Sequence, residues 1–334
     1  MKITRRRINP LVLGLMAALV LGSKPLAQAQ ENPSISSYGL NEQYVSPSNT
    51  GIYDYLSAGV SYRSQWAKVA DGSKTFFATA NSPIDDMHGL GLMLFSDKFG
   101  LVKQSGVCID YSYRIPLGLD YNLAFGIGPK IYQYTFGAGA NTIVPVDPAF
   151  SKQDESAIAI DARVGASVFS DRFLFSLSAD NLAQSKVQTN TLTTKRNHLH
   201  RELKLYGHGH FVLEQNKNIA IEPSFLLKSK MYEHYQVDFA IDVSYKDLVY
   251  AGVQYKLDDA FALRAGLRSK ELIVGYQFEL IQSELKNVQK TNHEIFIGIR
   301  IFNDRSSQNN RWYDRHKEAE WIGKDSVLKT RVQD

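Results

Sequence analysis

The stretch Gly106-Val107-Cys108-Ile109-Asp110-Tyr111-Ser112-Tyr113-Arg114-Ile115 alternates strictly between two kinds of side chain. In an extended strand successive side chains point to opposite sides. Val107, Ile109, Tyr111, Tyr113 and Ile115 therefore share one face, and Gly106, Cys108, Asp110, Ser112 and Arg114 the other. One face suits lipid and the other suits water. The pattern returns with Leu56, Ala58, Val60 and Tyr62 against Ser57, Gly59, Ser61 and Arg63, and with Ile158, Ile160, Ala162, Val164 and Val168 against Asp161, Arg163, Gly165 and Ser167. Later examples are Val237, Phe239, Ile241, Val243 and Tyr245, and then Ile295, Ile297, Ile299 and Ile301, each interleaved with polar or charged residues.

Alternation alone also fits a β-sandwich with a polar outer face. Length separates the two. Most of these segments run for ten residues or more; a tilted transmembrane strand needs ~9 to 11, whereas globular strands are mostly ~5 to 6. Charges on the second face are ordinary in a polar lumen and costly, unpaired, in a dry core. The reading is all-β: a transmembrane antiparallel up-and-down β-barrel of about 14 strands, near 52–66, 74–82, 88–96, 102–115, 121–135, 156–169, 172–181, 199–213, 218–228, 235–245, 248–257, 260–268, 271–281 and 292–302. Connection lengths give a check free of periodicity. The odd-numbered ones include the long stretches 136–155, 182–198 and 282–291, and the even-numbered ones include the tight turns Ser170-Asp171, Lys246-Asp247 and Ser269-Lys270. Long extracellular loops and short periplasmic turns alternate in this way in outer-membrane barrels. The short third and eleventh connections, at Asp97 to Gly100 and Asp258-Asp259, are exceptions. An even strand count places both termini in the periplasm.

The first residues carry Lys2, Arg5, Arg6 and Arg7, an apolar run from Leu11 to Leu21, and Ala27-Gln28-Ala29. This is the layout of a secretory signal peptide over 1–29, and its apolar run is shorter than a spanning helix requires. The only cysteine, Cys108, excludes both a lipoprotein anchor after the signal and a disulfide scaffold. The net charge of +4 is misleading. Five of the 38 basic residues (Lys2, Arg5, Arg6, Arg7 and Lys24) lie in the signal, leaving 33 against 34 acidic ones, so the charge gives no support to a nucleic-acid partner. No apolar stretch beyond the signal approaches ~18 residues, which excludes a helical membrane protein.

Two segments flank the barrel of 52–302. Residues 30–51, rich in Ser, Asn and Pro, cannot pack a core alone, and either sit in the lumen as a plug or hang free in the periplasm. Residues 303–334 form a charged periplasmic tail in which Trp312 and Trp321, beside Arg311 and Arg315, are candidate partner-binding residues; a solvated terminus is the plain alternative.

The run Arg63-Ser64-Gln65-Trp66, followed by Gly89-Leu90-Gly91-Leu92, Asp97-Lys98-Phe99-Gly100, Tyr111-Ser112-Tyr113-Arg114-Ile115-Pro116-Leu117 and Leu123-Ala124-Phe125-Gly126-Ile127-Gly128, resembles the PorP/SprF family, outer-membrane proteins of the type IX secretion system in the Bacteroidetes. The resemblance covers nearly all of the chain after the signal and is sharpest between residues 50 and 130. Ser46-Pro47-Ser48-Asn49-Thr50-Gly51 matches the family's opening run only at its Pro and Gly, and the tail after Asn303 is longer than a member ending at its last strand would have. The resemblance implies a non-enzymatic component, and a general member of the family is expected in preference to one devoted to a single cargo. It supports export or surface attachment of cargo bearing a C-terminal signal. The implied partners are periplasmic ring lipoprotein and peptidoglycan-binding components, with outer-membrane lipid around the barrel.

Other sites are weighed against this. His198, His200, His208 and His210 are the clustered metal-type ligands; no cysteine or nearby carboxylate in the sequence completes a set, so they are read as polar lumen residues with no metal and no cofactor assigned. No Gly-x-Ser-x-Gly motif supports a hydrolase, and no catalytic residue is assigned. Arg63, Arg114, Arg163, Arg264, Arg268 and Arg300 fall on inward faces with Asp110, Asp161, Asp238, Asp242, Glu279 and Glu294. They either pair across strands or line an anion path, and the balance of signs favours pairing. Trp66 and the tyrosines near strand ends read as interfacial girdle residues. A passive porin or nutrient channel is the alternative function, since fourteen strands enclose a lumen wide enough to conduct if it is open.

Overall fold

A computed structural model describes residues 33–65, 72–118, 120–137, 155–185, 201–213, 216–230, 234–282 and 291–302. Its strands are β1 (Tyr55–Ser64), β2 (Lys74–Pro83), β3 (His88–Phe99), β4 (Val102–Leu117), β5 (Tyr121–Phe136), β6 (Glu155–Phe169), β7 (Phe173–Asp180), β8 (Glu202–Gly209), β9 (Phe211–Leu213), β10 (Asn216–Lys230), β11 (His234–Tyr245), β12 (Val249–Lys256), β13 (Ala260–Arg268), β14 (Leu272–Ile281) and β15 (Thr291–Phe302). Each pairs antiparallel with its neighbours, and β15 pairs with β1, closing the ring. β8 and β9 both pair with β10 and form one stave interrupted at His210, so the barrel has fourteen staves.

The interruption is the one departure from the expected strand 199–213, and it has a local cause. His210 N–H donates to the carbonyl of Arg172 at 2.8 Å, in the turn before β7, and beyond that point the stave pairs only with β10. The pairing of β9 with β10 then shifts register between Asn216 and Ala220. No helix among the described residues is long and apolar enough to cross a membrane; this chain crosses with strands.

The barrel inverts the burial of a water-soluble protein. Ile109 is 52% exposed and its neighbour Asp110 is 0% exposed. Leu92, Phe125, Ile127, Ile160 and Ile297 also face outward and exposed, whereas all twelve charged residues assigned to the inner face are buried. Lipid replaces water around the outer wall, so apolar side chains belong there and charges must be satisfied within.

The two rims differ. Where β1 begins and β15 ends, the connections are short: 84–87, 118–120, 170–172, 246–248 and 269–271. In the last but one, Lys246 (φ +53°) and Asp247 (φ +50°) both adopt the left-handed region that a tight two-residue hairpin turn of matching twist demands. The opposite rim carries the two nine-residue connections 65–73 and 282–290 and the much longer ones at 137–154 and 181–201, together with the short ones at Gly100-Leu101, 231–233 and 257–259.

Candidate functional site: the occupied lumen

Residues 33–54 run inside the barrel. They form three short helical pieces, Tyr38–Leu40, Glu42–Val45 and Pro47–Asn49, and every residue from Asn41 to Ile52 is buried. Ile35, Tyr38, Tyr44, Val45 and Ile52 of the segment join wall residues such as Phe77, Phe95 and Tyr206 in one buried apolar cluster. Its remaining positions are mostly polar, and the polar inner wall holds them.

Near the long-loop rim, the backbone N–H groups of Ser36 and Ser37 donate to Glu294 at 2.7 and 2.9 Å. Lys256 Nζ reaches Ser36 Oγ at 2.5 Å and Glu279 at 2.7 Å, and Arg63 spans Glu279 at 2.8 Å and the Ser34 hydroxyl at 3.3 Å. At mid-barrel, Gln43 donates to Asp110 at 2.9 Å, and Arg163 donates to the Gln43 carbonyl at 2.8 Å. Arg163 also lies 3.4 Å from Asp180 and 3.7 Å from Asp110, while Lys204 pairs with Asp180 at 2.6 Å. Toward the short-turn rim, Asn49 accepts from Ser167 and Ser176 at 2.6 and 2.8 Å, Ser112 donates to the Thr50 carbonyl at 2.5 Å, and Arg114 donates to the Gly51 carbonyl at 2.6 Å.

Three consequences follow. The inner-wall charges largely satisfy one another, as in Arg63–Glu279, Arg163–Asp180, Arg264–Asp242 at 3.2 Å and Arg268–Glu222 at 2.7 Å. Their arrangement is that of paired charges across strands, with the inner segment supplying dipoles to what remains. The segment also crosses the lumen, because Ser34 and Ser36 sit by the far ends of β1 and β15 whereas Gly51 leads back to the start of β1. Finally, it lies close against the wall. Gly126 of β5 and Gly165 of β6 are directly paired, and a Cβ on the first would overlap Pro47 and the Ser48 nitrogen, on the second the Ser46 hydroxyl. Only glycine leaves room for this approach.

Glu42 is the segment's one charged side chain between residues 33 and 51. It accepts a short hydrogen bond from Tyr53, lies 3.5 Å from the Tyr206 hydroxyl and 3.4 Å from His208 Nδ1. Beside it a cavity opens on the short-turn rim, lined by Asn41, Tyr53, Tyr55, His210, Asp247 and Arg300 among others.

The two described histidines of the cluster, read from the sequence as polar lumen residues, take different partners. His208 faces Glu42, whereas His210 Nδ1 lies 3.4 Å from Glu222. The carboxylates that the linear sequence did not associate with them come from other strands and turns: Glu222 from β10 and Asp247 from the hairpin before β12. His198, His200 and Trp66 lie outside the described residues, as do Arg311, Trp312, Arg315 and Trp321 of the expected tail and residues 1–29 of the expected signal peptide. The inward glycines Gly126 and Gly165 were the signal for the segment's path. A glycine where neighbouring strands place Asp, Arg or Ser marks a close neighbour.

A closed antiparallel barrel with an apolar outer wall, a charged inner wall and a stretch of its own chain through the lumen is a transmembrane barrel of the outer-membrane class. Among solved structures it is similar in fold to the toluene transporter TbuX of Ralstonia pickettii, at TM-score 0.50 and 10% identity, covering 78% of this chain and 93% of that one. A FadL homologue of Pseudomonas aeruginosa matches at TM-score 0.43 and 10% identity, over 74% of this chain and 89% of that one. A comparison with curated proteins returned no match. Residues 27–299 match the family model described as type IX secretion system membrane protein PorP/SprF, and the chain belongs to that family.

Proposed function

We propose that this barrel serves the type IX secretion system as a binding platform and not as a conduit. In this reading it supports export or surface attachment of cargo carrying a C-terminal signal. The observation that carries the proposal is the lumen itself: from Ser36 to Gly51 the inner segment is hydrogen-bonded to the wall at both rims and at mid-barrel. A pore filled by its own chain leaves the rims and tail as the surfaces for work. The short-turn rim, where β15 ends, faces the periplasm by the loop-length asymmetry of such barrels. The charged stretch 303–334 follows β15 from that rim in the sequence, and Arg311, Trp312, Arg315 and Trp321 are the residues proposed to meet ring lipoprotein or peptidoglycan-binding partners. No step of this function calls for a catalytic residue.

The test is a chromosomal deletion. Cargo should accumulate in the periplasm and return to the surface on complementation, and a chain ending at residue 302 should enter the membrane yet capture less periplasmic machinery in a pull-down. Normal secretion in the deletion strain would overturn the reading. A passive channel remains the rival, favoured by the polar inner wall and the cavity at one rim, and conductance separates the two.

A further inference from the structure

We infer that His210, Glu222 and Asp247 form a divalent-cation site at the short-turn rim. Their ligand atoms all lie within 4.8 Å of one another. Donors bound tetrahedrally at ~2.1 Å from a cation such as Zn²⁺ stand roughly 3.4 Å apart, and His210 Nδ1 is 3.4 Å from a Glu222 oxygen. Asp247 lies within the same 4.8 Å limit, on a two-residue turn that lines the cavity. One imidazole and two carboxylates are a donor set suited to zinc and its neighbours, with water from the cavity completing the shell.

Arg268 and Ser244 compete for Glu222, the guanidinium donating to both carboxylate oxygens at 2.8 and 2.7 Å and the hydroxyl to one of them at 3.1 Å. Together they do not exhaust it, because an ionised carboxylate offers about four lone-pair directions. The charge also leaves room: Glu222 and Asp247 against Arg268 sum to one negative charge with His210 neutral. Glu42 and Asp171, which line the same cavity, add two more against Arg300. The mouth as a whole favours a cation.

The position gives such an ion a task. The three donors belong to the break between β8 and β9, to β10, and to the turn joining β11 to β12. At this place the ladder is irregular, with a three-residue β9 and a shifted register. A bound cation staples three staves where backbone pairing is thinnest, and it stabilises the folded barrel by binding that form alone.

The experiment uses the full mature chain in detergent micelles, with no histidine tag, titrated with Zn²⁺ and assayed for metal per chain after gel filtration. The wild type should hold one zinc per chain, and its urea midpoint should rise with zinc. Asp247→Asn keeps a residue that tolerates positive φ, so it tests the donor without disturbing the turn. Both Asp247→Asn and His210→Ala should weaken binding by roughly tenfold or more through loss of a ligand, while His208→Ala should stay within about twofold of wild type. Folding of each variant is checked by its gel mobility before and after boiling; if His210→Ala fails to fold, Asp247→Asn decides alone. No saturable binding by the wild type, or unchanged binding in the decisive variants, overturns the site.

Discussion

Replacing Arg163 by Met removes the cation that joins the inner segment to the wall at mid-barrel. Arg163 is 2% exposed, and Met keeps much of its volume while deleting the charge. Its bond to the Gln43 carbonyl, at 2.8 Å, is charge-assisted and contributes ~1.5–3 kcal/mol. Of its two carboxylate neighbours, Asp180 keeps Lys204 at 2.6 Å. Asp110, fully buried, keeps only neutral donors: Gln43 at 2.9 Å and the Cys108 thiol at 3.2 Å. Stranding a buried charge by removing its partner costs ~3–5 kcal/mol. The pair separations of 3.4 and 3.7 Å argue for the lower end. A loss of about 3 kcal/mol lowers the folded-to-unfolded ratio more than a hundredfold. Urea unfolding in lipid vesicles, followed by heat-modifiable gel mobility, reads this directly. The double variant Arg163→Met/Asp110→Asn should recover at least ~1 kcal/mol, because the stranded charge is gone. A single-variant loss below ~0.5 kcal/mol, or a double variant no better than the single, would refute the pairing argument.

Other perturbations bear on the same structure. Gly126→Ala places a methyl group against Pro47 and Ser48, so the inner segment should lose protection and be cut by added protease while the barrel persists; an uncut segment contradicts the close approach. Ile127→Arg, facing lipid near the middle of β5, should cost ~2–4 kcal/mol, whereas Ile301→Arg, one residue from the end of β15, should cost ~0–1 kcal/mol; equal costs in a vesicle unfolding assay would mean that the membrane does not lie across the strands as described. In the turn 84–87, the backbone N–H of Met87 and then the His88 side chain hold the exposed Asp85 carboxyl below its ordinary value of 3.8. A depressed carboxyl stabilises above its unfolded pKa, and that contribution is lost as pH falls through the lower folded value. The protection of the Met87 and His88 amides, both bonded to Asp85, relative to their intrinsic exchange should therefore be lost only as pH falls below the ordinary value of 3.8, and protection already lost at neutral pH would contradict the assignment.

The staves were legible because a period of two sustained over ten residues, as from Val107 to Ile115, admits few other structures, and the charges it turned inward are the ones the barrel buries. What is written across strands was not legible. Ser36 meets Glu294 at a separation of 258 residues, and nothing local at either position announces it. Residues 33–51 read as too polar to form a core, which is sound for a core of their own; in the lumen the wall supplies the missing partners. The same holds for His210, whose carboxylate neighbours arrive from two other elements, and for the break beside it, which depends on a carbonyl in the turn before β7. Gly126 and Gly165 were visible as glycines but gained meaning only when register placed them opposite each other.

The central claim is that the chain closes its own barrel and works by binding. Single-molecule conductance in planar bilayers tests it most directly, comparing the barrel with its inner segment intact and a form lacking residues 33–51. The intact barrel should be silent, and the shortened form should pass stepwise current through a lumen now filled with water. Steady current through the intact barrel would contradict the account.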